Sequence, residues 1–172
     1  MVMLRVSALS LSRPVVILLA ALLPFTVHAQ ANTRSVDNLM NEAQAALSKG
    51  KPEEAVSILR KAIDQAPDRA DLYLLRSRAR DSSGKFEAAL DDASKYVELK
   101  PNDEVGYLNR ARVYLSLEKK DRALDDANKA IALAPNDSDA YFRRADIYTE
   151  MGKDAEAKAD EAKADELDKK AR

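Results

Sequence analysis

Ala89-Leu90-Asp91-Asp92-Ala93 returns residue for residue as Ala123-Leu124-Asp125-Asp126-Ala127, 34 positions further along. Other columns keep the same interval: Pro67, Pro101 and Pro135; Tyr73, Tyr107 and Tyr141; Arg76, Arg110 and Arg144. Agreement of independent columns at one period marks a repeat array, in which no single unit can bury its apolar face alone.

Each unit reads as two helices. From Asp103 to Ser116, Val105, Leu108, Ala111, Val113 and Leu115 recur with a helical period. Glu118-Lys119-Lys120-Asp121 is a polar break, and Ala123, Leu124, Ala127, Ala130, Ile131 and Leu133 then give a second amphipathic helix that Pro135 stops. Asn102-Asp103 and Asn136-Asp137 are placed to cap the helices that follow, because their side chains accept bonds from the unpaired N–H groups of a first turn. Gly50-Lys51-Pro52 separates the helices of the first unit, with Pro52 at a start position where its missing N–H is harmless. Gly84 and Gly152 mark the same turn in units two and four. Ala55, Ala89, Ala123 and Ala157 leave room for neighbouring helices to approach closely. Only 4 glycines and 6 prolines in so charged a chain agree with an all-α protein.

The combination resembles the tetratricopeptide repeat family over residues 36–169. The large residue early in the first helix is matched by Leu39, Tyr73, Tyr107 and Tyr141, and the small one four positions on by Ala43, Ser77, Ala111 and Ala145. The four alanines above match the small residue of the second helix. Leu59/Ala62, Ala93/Tyr96 and Ala127/Ala130 match its later pair. The resemblance implies a right-handed α-solenoid of antiparallel helix pairs, with a concave groove lined by the first helices. Repeats are expected at about 36–69, 70–103, 104–137 and 138–172. The last is degenerate, lacks the closing proline and ends in a charged helix that would act as a solvating end cap.

The N-terminus reads differently. Arg5 and Arg13 precede the apolar run Val15–Leu23, Pro24 breaks it, and small residues flank Ala29 and Ala31. This is the layout of a cleavable secretory signal over residues 1–29, with cleavage after Ala29 or after Ala31 and a short linker at 30–35. The run is about half the length needed to cross a bilayer, so no stable membrane insertion is expected after cleavage. With no cysteine in the chain there is no lipid-anchor thiol, disulfide or thiolate metal site. The setting expected is the periplasm, or secretion.

Composition also bounds the chemistry. A net charge of −1 lacks the basic excess of a nucleic-acid binder. His28 is the one histidine and falls in the signal, so a Ser–His–Asp set has no member to draw on. No glycine-rich phosphate cradle and no metal-loop spacing occur, and no cofactor or metal is expected. The Asp91-Asp92 and Asp125-Asp126 pairs point about 100° apart on a helix and recur with the repeat. They read as structural partners of Arg76, Arg110 and Arg144, in one polar clip of Tyr-x-x-Arg and the Asp-Asp step per unit. An enzyme is not expected.

The groove is where function is expected. The inward stripe is Asp37, Met40, Asn41 and Gln44 in unit one and Asp71, Leu74, Leu75 and Arg78 in unit two. Unit three gives Val105, Leu108, Asn109 and Arg112, and unit four Asp139, Phe142, Arg143 and Asp146. Each set is one helical face. Met40, Leu74, Leu108 and Phe142 would form an apolar strip with Arg78, Arg112 and Arg143 beside it. The partner expected is an extended or helical protein segment with acidic groups. Asn109 and Arg143 also fall where family members that grip chaperone tails carry two of their five clamp residues, but the lysines of that set are missing. The alternative is a self-associating structural subunit of an envelope complex, and the sequence leaves the oligomeric state open.

Overall fold

The computed structural model describes residues 35–170. The expected signal peptide, and all of the expected linker except Ser35, lie outside the described residues. Ser35 already belongs to the first helix, α1, which spans residues 35–48. Seven more follow: α2 (Pro52–Gln65), α3 (Ala70–Ser82), α4 (Phe86–Leu99), α5 (Glu104–Ser116), α6 (Lys120–Leu133), α7 (Ser138–Glu150) and α8 (Asp154–Lys170). Among the described residues there is no strand.

Local chemistry sets the boundaries. Asp103 caps α5, its Oδ1 accepting from the Val105 N–H at 3.1 Å, and Asp137 caps α7 through the Asp139 N–H at 3.1 Å. Arg69 holds the equivalent place before α3 and caps nothing; its guanidinium instead bridges Asp71 and Asp37, the latter at 2.5 Å. Pro52 opens α2. The turn inside each unit needs a left-handed residue. Gly50, Gly84 and Gly152 supply it, but unit three uses Glu118 at φ 57°.

Each helix from α2 onward packs on its chain neighbours, and α5 also touches α3 and α7. The even-numbered helices make no such contacts with one another among the described residues. The layer whose members meet across units has the shorter spacing, so the stack curves toward α3, α5 and α7, and these line its inner wall. This is an α-solenoid of antiparallel helix pairs. Ala55, Ala89 and Ala123 are wholly buried and Ala157 is nearly so, which is the close approach their size permits.

The polar clip is present in three units, with its roles sorted. Arg76 donates twice to Asp92 at 2.9 and 2.7 Å, Arg110 twice to Asp126 at 2.7 and 2.8 Å, and Arg144 twice to Asp160 at 2.7 and 2.8 Å. The second acid of each Asp-Asp step is buried and paired, while Asp91 and Asp125 are exposed. The bonds to Asp126 and Asp160 hold the Arg110 and Arg144 guanidiniums charged beyond their ordinary range. The tyrosines do not reach the acids. Each stacks against its arginine, 5.6 to 5.7 Å from ring centre to guanidinium carbon, and donates its hydroxyl to the carbonyl of Pro67, Pro101 or Pro135. One clip thus ties the two helices of a unit to each other and to the preceding turn. Unit one has Glu42 and Ile58 in these columns and carries no clip.

At the far end α8 keeps its packing face, with Ala157, Asp160, Ala164 and Leu167 buried. Its other face breaks the repeat. The buried column Leu59, Ala93, Ala127 continues as exposed Glu161. Leu90 and Leu124 continue as Lys158, and Val97 and Ile131 as Asp165.

Candidate protein-binding groove

The inner wall brings Arg78 of α3, Val105, Leu108, Asn109 and Arg112 of α5, and Asp139 and Arg143 of α7 around one cavity of about 550 Å³, with Asp137 at its rim. Leu108 forms the floor, packed with Ala130 and Ala140. Beside it Leu108, Arg112, Arg143 and Asp146 share a smaller recess of about 50 Å³.

The other residues expected in the groove divide. Met40 and Leu75 are half-buried against the N-terminal core, and Met40 Sδ meets the Arg69 guanidinium at 3.8 Å. Leu74 is half-buried, while Asn41 and Gln44 are exposed; none of these three lines the cavity. Phe142 is the one large apolar residue exposed among those described, at 36%. The column Leu74, Leu108, Phe142 therefore ends in its most exposed member, where the covering units run out.

Asn109 and the arginines differ in what they are free to do. Asn109 is buried; its amide donates to Ser77 Oγ at 2.9 Å and its Oδ1 accepts from Arg112 at 3.2 Å. Ser77 donates its own hydroxyl to the Ala89 carbonyl. Arg112 also donates to Asp81 at 2.5 Å, and Ser116 holds the other Asp81 oxygen at 2.8 Å. Asn109 and Arg112 are thus members of a polar seam joining units two and three. Both ends of the Asn109 amide are thus engaged within the protein. Among the described residues Arg143 makes only long, exposed pairs within its own helix, to Asp139 at 3.4 Å and Asp146 at 3.8 Å. Arg78 has neither a hydrogen bond nor an ion pair among the described residues. It is reachable by solvent, yet enough protein surrounds its head that burial, then the positive charge of Arg112, lowers its pKa from the ordinary value; Arg143 adds to this, while Tyr96 and Asp139 oppose it.

Ser77, Asp81 and Ser116 complete this seam, although their columns in the repeat do not mark them as partners. A signal was still present at Ser77, a hydroxyl in a column otherwise filled by Ala43, Ala111 and Ala145. A hydroxyl at a buried alanine position needs a partner.

A second cleft of about 590 Å³ opens at the turn edge between Glu118–Arg122 and Glu150–Met151. Acids and bases are mixed along it, and Lys120 spans it by donating to the Glu150 carbonyl. Met151 is its one apolar side chain, and it lies at the turns, whereas the inner-wall cavity joins residues of three helices. Among the described residues no cluster of acids could hold a metal ion, and no helix is long and apolar enough to cross a membrane.

Comparison with known proteins bears on the fold. The crystal structure of MamA matches with a TM-score of 0.70 at 23% identity, covering 86% of this chain and 86% of that one. TTC0263, a thermophilic TPR protein in Thermus thermophilus, matches with a TM-score of 0.71 at 18% identity, covering 77% of this chain and 74% of that one. The first TPR of Spaghetti (RPAP3), bound to the HSP90 peptide SRMEEVD, matches with a TM-score of 0.64 at 24% identity, covering 69% of this chain and 94% of that one. A comparison with curated proteins gives no match. Family profiles described as tetratricopeptide repeat match residues 40–104, 105–137 and 127–159, and with the helix pairs they establish that the chain belongs to the tetratricopeptide repeat family.

Proposed function

We infer that this protein is an exported, non-enzymatic scaffold whose inner wall holds a segment of another protein. Its family supplies the general role, since tetratricopeptide repeats are protein–protein interaction modules that typically carry no chemistry of their own. The observation that carries the finer reading is the wall formed by α3, α5 and α7, where Arg78, bonded to no acid, and the loosely paired Arg143 line the cavity over Leu108, and Phe142 stands exposed on α7 next to Arg143. Leucine and phenylalanine on a curved wall offer anchors to a segment's apolar side chains. The bound peptide of the RPAP3 domain is a precedent for such use of this fold. The N-terminal signal pattern supports an encounter in the periplasm or outside the cell.

Photo-crosslinking in intact cells tests the reading. A crosslinker at Phe142 should capture a partner that one at Asn128, outside the groove, does not, and an Arg78→Glu/Arg143→Glu variant should lose it. Capture at Asn128 alone would move recognition off the inner wall. Products consisting only of the protein linked to itself would favour the structural-subunit alternative. N-terminal sequencing of the cellular protein should begin at Gln30 or Asn32; a chain beginning at Met1 would remove the export reading.

A further inference from the structure

The three groove arginines share one wall and differ in situation. Arg112 is bonded on two sides, to Asp81 and Asn109, and belongs to the seam between units. Arg143 is held loosely by two carboxylates of its own helix, Asp139 and Asp146, which stand in for an external acid. Arg78 has no bonded partner among the described residues, although it faces the same cavity as both. A guanidinium crowded by two like charges and bonded to no carboxylate, with Asp139 acting on it only through space, gains most from an incoming one. The lining also says which anion suits it. Asp137 and Asp139 repel a dense polyanion such as a phosphate or nucleic-acid backbone, whereas Val105 and Leu108 offer an apolar floor.

Resting on the groove reading above, we propose that Arg78 is the anion acceptor of the groove, and that its occupant is an extended protein segment in which an acidic residue adjoins an apolar one. The carboxylate meets Arg78, the apolar side chain lies on Val105 and Leu108, and Arg143 leaves Asp139 to share the load. Arg112 fixes the site without touching the segment. This differs from a chaperone-tail clamp, which would need Asn109.

The test is titration of the purified chain with a capped peptide of alternating glutamate and leucine, its glutamine–leucine counterpart, and inorganic phosphate. The glutamate peptide should bind saturably and more weakly at high salt. Arg78→Gln should weaken it about tenfold while leaving thermal stability intact. Asp139→Asn should tighten it about two- to threefold by releasing Arg143, and Arg122→Gln, outside the groove, should change nothing. Equal binding of both peptides, unaffected by Arg78→Gln, would overturn the acceptor and leave the groove reading standing. Binding of neither peptide would remove both. Full competition by phosphate at the same affinity would overturn the assignment to a protein segment.

Discussion

Gly106 lies flat against the ring of Tyr96: a Cβ on this glycine would sit 2.5 Å from Tyr96 Cδ1 and 2.8 Å from Cε1. The same pair of columns holds Ala62 opposite Leu72 in the preceding interface and Ala130 opposite Ala140 in the following one. In the first two interfaces size is exchanged between the columns, and the large Tyr96 ring is accommodated because its opposite number has no side chain. Gly106→Ala should therefore destabilise by about 1–3 kcal/mol, despite alanine's better helix propensity. In a Tyr96→Ala background, where the ring that the new Cβ would meet is gone, the same Gly106→Ala change should cost little. Denaturant unfolding of the four-member cycle measures the coupling, and additive effects would show that the contact does not decide the packing.

The Tyr96 hydroxyl donates to Asp103 Oδ2 at 2.8 Å, and burial together with that carboxylate pushes the phenol's pKa up. A pKa raised on folding contributes stability that is complete below the unfolded value of about 10 and is lost as pH rises through the folded value. Wild-type stability should fall above that pH more steeply than that of Tyr96→Phe, so the difference between the two narrows with rising pH. Parallel stability–pH curves for the two proteins would contradict the assignment.

Glu118 occupies the left-handed turn position that glycine fills in the other three units. Glu118→Gly should stabilise by about 1 kcal/mol, and Gly84→Ala should destabilise by a similar amount. Urea midpoints compare them directly.

Breaking one clip leaves a nearly buried aspartate without its cation. Arg110→Ala should cost about 2–3 kcal/mol, below the full cost for a buried pair because the arginine keeps some contact with water. Asp125→Ala, at the exposed neighbour of the paired acid, should stay within about 0.5 kcal/mol of wild type. Thermal unfolding of both variants checks this, and equal effects would deny any special role to Asp126.

Much of this architecture was legible in the chain. The 34-residue interval gave the helix pairs, Asp103 and Asp137 gave two of the helix starts, and Arg76 with Asp92 recurred plainly enough to suggest a bond. What the repeat could not convey lies where units depart from one another. Arg69 stands in a capping column and bonds across to Asp37. Glu118 takes a backbone shape its type disfavours. In the groove, helical period put Arg78, Arg112 and Arg143 on one wall, but the partner of a long side chain depends on the adjacent unit. Arg112 found Asp81, and Arg78 found nothing comparable.

The charged outer face of α8 bears on how such a chain can evolve. Glu161, Lys158 and Asp165 stand where another unit would have to dock, and burying any of them unpaired would cost several kcal/mol. Duplication of an internal repeat can lengthen the array without touching these positions. A unit appended after α8 would have to rewrite all three at once. The three charges of α8 thus set an energetic threshold for stacking a further unit on this face, one that growth by internal duplication does not meet.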